Sequence, residues 1–412
     1  MITKKTFKYR LKPSRKQKLL CAQFAGSCRW IFNHRLERKK KAYEEEKRSL
    51  SYYDLNNELP VLKRTEETIW LKGVHSQVLQ QALKDLDSAF QNFFRRVRNK
   101  ETPGFPRFKS KGEKDSFRYP QGVKIEGNHV FLPKIGTVRF KKSREVEGSL
   151  KQTTVILDAG RWYVCFSCEV EEDTRVQELD VQSAVGIDMG LETFATLAIG
   201  NKNGIEEIAN PRFLKNHLAK LRYLSKTLSR KTPKSRNRYK AKLRLQRFQK
   251  RLRDCRKDFA HKLSTRVVKN HDIIGVESLS IASLMQSGLT ALVRSIADAG
   301  WRQFLGYVTY KAQKWGKALH EVNRWFTSTK TCSRCGRKHE LQLNDRILQC
   351  GCGFEIGRDI NAAINIKNEA IKKLVAVGTT VVKPVELLML PELRSRNLSP
   401  SGERGSRCVC MF

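Results

Sequence analysis

The sequence predicts an α+β protein of several domains, and three observations carry that prediction. The chain opens on a strand-like alternation and then enters long amphipathic stretches. At Val185 it changes to short apolar runs that alternate with helical pattern. Further on it carries two cysteine knuckles. A length of 412 residues suggests roughly two to four domains, and 40% hydrophobic content is enough to bury a sizeable core.

Residues 1–12 alternate in Thr6-Phe7-Lys8-Tyr9-Arg10-Leu11, a period of two that reads as a strand. Pro13 ends it, and Ser14 is placed to cap a helix. Helical pattern follows over about 14–47 and 74–99, the second with an apolar stripe through Val78, Leu79, Ala82, Leu83, Leu86, Phe90 and Phe93–Phe94. Residues 101–120 are rich in Pro, Gly, aromatics and cations, as in Pro103-Gly104-Phe105-Pro106-Arg107-Phe108-Lys109 and Ser116-Phe117-Arg118-Tyr119-Pro120. The prolines forbid a regular helix. Aromatics interleaved with cations suit base stacking and phosphate neutralisation, which makes Arg107, Lys109, Arg118 and Tyr119 candidate nucleic-acid contacts. The alternative is a surface loop with buried aromatics. Short strands are expected at His129–Leu132, Thr137–Phe140, Thr153–Leu157 and Trp162–Val170, forming a small barrel or sheet that takes up the N-terminal strand. The acidic groups Glu169–Asp173 and Glu178–Asp180 read as a linker.

From Val185 the pattern is α/β, with a very basic helical insert over 215–270 broken at Thr232-Pro233. Its basic face, with Arg236, Arg238, Lys240, Lys250 and Arg251, is the best candidate for gripping a nucleic-acid backbone. After 376 the pattern is lost and a disordered tail is expected, with Cys408 and Cys410 in it.

The charge names the partner class. With 81 Lys and Arg against 41 Asp and Glu, the net charge is +40, which attracts polyanions. Nucleic acid is the expected partner. No apolar run approaches the roughly 18 residues that span a bilayer, and Met1-Ile2-Thr3-Lys4-Lys5 does not begin a secretory leader, so no membrane partner is expected. Eleven cysteines, odd in number and unevenly placed, fit a reducing, cytoplasmic setting.

Three acids stand out. Asp188 lies inside the apolar strand Val185-Gly186-Ile187-Asp188-Met189, where a charge is costly unless paired or metal-bound. Glu277 ends the apolar run Ile273-Ile274-Gly275-Val276, and Asp359 precedes the helix Ile360–Ile366. Taken singly, Asp359 has a helix-capping reading and Glu277 reads as a strand end. Together, acids at a first strand, a later strand end and a terminal helix can converge on one sheet edge to hold two Mg²⁺ or Mn²⁺ ions for phosphodiester hydrolysis. Cys332-Ser333-Arg334-Cys335 and Cys350-Gly351-Cys352 have the spacing of a four-thiolate structural zinc site, with His339 as a reserve ligand. Cys165-Phe166-Ser167-Cys168 also spells C-x-x-C, but its strand context points the two thiols to opposite faces, so no metal is expected there.

The order Gly186-Ile187-Asp188-Met189-Gly190, Gly275-Val276-Glu277-Ser278-Leu279, Thr331-Cys332-Ser333-Arg334-Cys335-Gly336 and Arg358-Asp359-Ile360-Asn361-Ala362-Ala363 resembles the TnpB family of insertion sequences, which is similar to the miniature type V CRISPR effectors. The likeness extends to Tyr9-Arg10-Leu11-Lys12-Pro13 and spans roughly residues 1–370. It implies a wedge β-barrel from 1–13 and 105–180, interrupted by a helical recognition domain at 14–104. It then implies an RNase H-like (RuvC) nuclease domain at 181–326 and 355–375, a zinc ribbon at 327–354, and the tail at 376–412. The resemblance implies a guide RNA transcribed from the transposon end, a double-stranded DNA target, no small-molecule cofactor, and a prokaryotic cytoplasm at the nucleoid. By motif match, Asp188, Glu277 and Asp359 are the catalytic acids, and Cys332, Cys335, Cys350 and Cys352 hold zinc. Gly357 stands where many relatives carry a further acid. A strand-transferring transposase of the same fold, a nuclease-inactive RNA-guided repressor and a non-enzymatic RNA-binding zinc-ribbon protein are the alternatives.

Overall fold

The computed structural model describes residues 2–112, 115–171, 179–200, 204–286, 290–342 and 345–376. They form two compact units that divide between residues 172 and 173.

In the first unit, β1 (Ile2–Lys12) alternates outward and inward, so that Phe7, Tyr9 and Leu11 enter the core. Ser14 starts α1 (Arg15–Glu46) through a capping box, accepting from the Gln17 backbone N–H while the Gln17 side chain accepts from Ser14 N. Next come α2 (Tyr52–Asn57), α3 (Leu59–Arg64), a 3-10 stretch at Glu66–Gly73, and α4 (Ser76–Arg98). The apolar stripe of α4 is buried from Val78 to Leu86. The strands are β2 (Ser116–Tyr119), β3 (Lys124–Glu126), β4 (His129–Leu132), β5 (Gly136–Lys141), β6 (Ser149–Asp158) and β7 (Arg161–Glu171). They form a seven-stranded half-barrel in the order β2-β6-β7-β1-β5-β4-β3, with β1 between β7 and β5. The N-terminal strand is thus central.

Two sequence expectations change here. Ser116–Tyr119 is a strand, not a loop, and Phe117 and Tyr119 are buried in the core. Glu169 and Glu171 belong to β7, not to a linker, because backbone pairing with β1 carries the strand to Glu171. The rest of that acidic group up to Glu178 lies outside the described residues, as does the segment 377–412.

In the second unit, β8 (Ala184–Met189), β9 (Thr193–Ile199) and β10 (Gly204–Ala209) form an antiparallel meander. The basic insert is a helical hairpin of α5 (Phe213–Ser229) and α6 (Arg236–Asn270) that breaks around Pro233. It leads to β11 (Ile273–Glu277), which lies parallel to β8. Then come α7 (Ile281–Met285), α8 (Thr290–Ala299), α9 (Trp301–Lys314) and β12 (Ala318–Val322), parallel to β11. A hairpin of β13 (Ile347–Cys350) and β14 (Phe354–Gly357) precedes α10 (Arg358–Ala376). The central sheet order β10-β9-β8-β11-β12 has three antiparallel strands followed by two parallel additions, the topology of RNase H-like folds.

The period of two along β8 and β11 divides the sheet's residues between its faces. Val185, Ile187, Ile274 and Val276 enter a core shared with Leu263 and Val267 of α6 and with Phe304 and Val308 of α9. The intervening Ala184 and Ile273 pack with Ala370 and Leu374 of α10. On that second face Gly186 and Gly275 are register partners. A Cβ on Gly186 would lie 2.1 Å from the Ala363 carbonyl oxygen, and one on Gly275 would lie 2.8 Å from that of Ile366. Both glycines therefore let the backbone of α10 rest directly on the sheet. Among the described residues, no helix is long and apolar enough to cross a membrane.

Gly186→Ala should lower the unfolding free energy by about 1–3 kcal/mol or more through overpacking, seen as a reduced midpoint in thermal or urea denaturation. Gly306→Ala, a control inside α9 whose added Cβ meets nothing within 4 Å, should be neutral or stabilising.

Candidate nuclease centre and cysteine cluster

Asp188 and Glu277 occupy the ends of the parallel neighbours β8 and β11, one register step beyond the pair Ile187–Val276. By strand alternation both share the face of Gly186 and Gly275, the face covered by α10. The helix runs antiparallel to β8. Ala370 and Leu374 cover Ala184, Ala363 and Lys367 cover Gly186, and one turn earlier Asp359 comes over the end of the strand that holds Asp188.

The electrostatics report the same convergence. Asp188 is only 9% exposed, and its carboxyl is pushed up to about 8. Burial is the largest cause, followed by the negative charges of Glu277 and Asp359. The Arg358 guanidinium and the Met189 backbone N–H oppose the shift. Burial also raises Glu277. Asp359 is more open, and its carboxylate lies 3.5 Å from Arg358 Nε. A buried carboxyl raised by two neighbouring acids marks a site short of positive charge, and hard divalent cations are the matching ligands for an all-oxygen donor set.

Asp298 shows what a buried structural acid looks like in the same unit. It is 7% exposed, but it accepts from the backbone N–H groups of Leu214 and Lys215 at 2.8–3.2 Å and from Arg256 Nε at 3.0 Å. Its charge is consumed in starting α5.

The four box cysteines converge. Their sulfurs all lie within 4.8 Å of one another, with Cys332–Cys352 at 3.9 Å and Cys335–Cys350 at 3.4 Å. Tetrahedral zinc with thiolate bonds near 2.3 Å would set sulfurs about 3.8 Å apart, so the quartet fits that ion. Gly336 and Gly353 close the knuckle turns at φ 76° and 77°, donating to the carbonyls of Cys332 and Cys350 at 2.9 Å. The backbone N–H of Arg337 heads the causes that lower Cys335 to about 7. His339 is not part of the cluster, since all four thiols reach one another despite the short second knuckle. Cys165 and Cys168 are buried within β7.

A feature that the residue-by-residue reading missed joins the two centres. Asn361 Nδ2 and Asn365 Nδ2 both donate to the Thr331 carbonyl, at 2.7 and 2.6 Å, and Asn365 Nδ2 also donates to the Ser328 carbonyl at 2.7 Å. Asn361 Oδ1 accepts from Ser333 N at 2.9 Å. The asparagines are 0% and 7% exposed. The helix that carries Asp359 is thus bolted to the first cysteine knuckle. The visible signal was two asparagines four apart on one helix face.

The basic candidates separate. Arg107 and Lys109 are exposed, with Lys109 Nζ 3.8 Å over the Phe32 ring. Tyr119 is withdrawn from the surface: it is fully buried and donates to the Pro133 carbonyl at 2.9 Å, which removes it as a stacking platform. Arg118 is paired with Asp85. Arg236, Lys240 and Arg251 are exposed on α6. Arg238 instead closes the hairpin by donating to the carbonyls of Leu228 and Lys231 at 3.3 and 2.9 Å, and Lys250 pairs with Asp254 at 3.1 Å.

Sheet topology and cysteine quartet together define an RNase H-like protein with a zinc-ribbon-type element immediately before α10. Comparison with known proteins narrows this. A family model described as "Probable transposase", OrfB of the IS605 type, matches residues 165–288, and a Cas12f1-like TNB domain model matches 301–366. A helix-turn-helix model of the same OrfB group matches residues 1–48, although here those residues form one strand and one long helix. The "Putative RNA-guided DNA endonuclease InsQ" of Escherichia coli (strain K12) is 37% identical over 377 residues, covering 87% of this chain and 90% of that protein. A protein of Streptomyces pristinaespiralis with the same description, lacking the name InsQ, is 36% identical over 88% of each. The chain belongs to the TnpB family, the OrfB proteins of IS605-type elements. A solved Cas12f1–sgRNA–target DNA complex shares the fold, with a TM-score of 0.54, 14% identity, and coverage of 89% of this chain and 99% of that one.

Two predictions follow from the geometry. Because folding raises Asp188, its contribution to the stability of metal-free protein is full below about pH 4 and is lost as pH rises toward about 8. Melting in EDTA across that window should show the decline, Asp188→Asn should flatten it, and added Mg²⁺ should raise the melting midpoint more at pH 8 than at pH 6. Separately, Asn365→Ala should weaken zinc retention about 10- to 100-fold in chelator competition, with all four cysteines intact.

Proposed function

We propose that this chain is an RNA-guided, divalent-metal-dependent DNA endonuclease encoded by an insertion sequence, cutting at Asp188, Glu277 and Asp359. The observation that carries the reading is the buried Asp188 carboxyl held in the field of Glu277 and Asp359 beneath α10. The names of the E. coli and Streptomyces relatives support the guided reaction.

In this reading Asp188, Glu277 and Asp359 hold the divalent ions, and Cys332, Cys335, Cys350 and Cys352 hold structural zinc. The ions, when bound, supply an activated water and stabilise the leaving oxygen. The chain contributes rigidity: β8 and β11 fix two acids side by side, and α10, seated on the glycines, fixes the third. Arg358 sits beside this group, where it offsets part of the negative charge. The +40 surface, including exposed Arg236, Lys240 and Arg251, grips backbone without reading sequence, a task left to pairing with the guide. The guide is RNA from the transposon end, the target is double-stranded DNA, and the setting is a prokaryotic cytoplasm.

The test is plasmid cleavage by the purified ribonucleoprotein in Mg²⁺. Wild type should cut and RNase treatment should abolish cutting. Asp188→Ala should bind target without cutting, and equal cutting by both proteins would refute the assignment. DNA affinity should fall roughly 10³-fold or more between about 50 and 200 mM salt.

A further inference from the structure

Trp325 is 79% exposed, more than any other large apolar side chain among the described residues. Its position in the chain is what makes it informative. Val322, the last residue of β12, is the register partner of Glu277, and Ser278 N donates to its carbonyl at 3.3 Å. The chain then turns tightly on Asn323: Trp325 N donates to Asn323 Oδ1 at 2.9 Å, and Phe326 N donates to the Asn323 carbonyl at 2.9 Å. The indole is therefore held on a hydrogen-bonded turn three residues beyond the neighbour of Glu277, within a chain reach of about 10 Å. The Arg324 guanidinium stacks over the indole ring at 5.0 Å.

An indole left in water beside a carboxylate centre, braced on one face by a planar cation, has its other face open to an aromatic ligand. The molecule's charge and the acidic site say which ligand that is. A nucleobase supplies the flat face, and its phosphate supplies the anion for Arg324. We infer that Trp325 is a stacking platform for a base of single-stranded DNA lying within about three nucleotides of the phosphate to be cut, taking about 3.4 Å per stacked nucleotide, and that Arg324 contacts the adjoining phosphate. The platform holds an unpaired strand across the carboxylates in a fixed register. This rests on the reading of Asp188, Glu277 and Asp359 as the cutting site.

The experiment uses the full ribonucleoprotein and target DNA with a single 2-aminopurine stepped through the strand. In a non-cutting Asp188→Asn background, quenching should be strong at one or two adjacent positions flanking the cut. Adding Trp325→Ala should relieve it. In the active background, Trp325→Ala should raise KM for DNA about 5- to 100-fold, the range that stacking on one aromatic supports. Zinc content and melting midpoint should be unchanged, and Trp325→Phe should restore most of the affinity. Unchanged KM together with unchanged quenching in Trp325→Ala would overturn the inference while leaving the nuclease reading intact. A wild-type complex that fails to cut would remove the nuclease reading, and the quenching comparison would still decide whether Trp325 stacks on a base.

Discussion

The second unit depends on one close approach, that of α10 to the sheet across Gly186 and Gly275. Without side chains at those register partners, helix backbone and strand backbone touch, and the first turn of the helix is delivered to the ends of β8 and β11. Any residue with a Cβ would prop the helix away and separate Asp359 from Asp188. The energetic cost of bringing three carboxylates together is carried by this packing, because the carboxylates themselves repel. The apolar contacts of Ala363, Ala370 and Leu374 supply the adhesion.

Much of this was legible in the sequence. The alternation of residues 1–12 became β1, and the Asp188 and Glu277 runs became adjacent strands. The cysteine spacing gave a cluster of the right dimensions even with a shortened second knuckle. What escaped depended on tertiary context. Phe117 and Tyr119 look like surface aromatics in a Pro-rich stretch, yet pairing of β2 with β6 turns both toward the core. Arg238 and Lys250 read as spare cations, but hairpin carbonyls and Asp254 occupy them. The role of Gly186 was invisible because nothing in its neighbourhood along the chain reveals a helix nearly 180 residues later.

The same limit applies to acids. Asp188 and Asp298 are comparably buried, and sequence alone gives no reason to treat them differently beyond motif context. Their partners distinguish them. Asp298 is surrounded by N–H donors and a guanidinium, so its charge is settled within the fold. Asp188 faces two further acids, so its charge calls for something from outside the chain.

The asparagine bolt between α10 and the first cysteine knuckle also bears on biosynthesis. A ribosome releases β8 and β11 well before it releases the hairpin and α10. The early strands can pair while Asp359 is still unsynthesised, and the helix that bears it is anchored both on the sheet and through Thr331, Ser328 and Ser333 of the ribbon. Chain order therefore leaves Asp188 and Glu277 without Asp359 until α10 emerges, by which time the whole of the knuckle that α10 grips has already been synthesised.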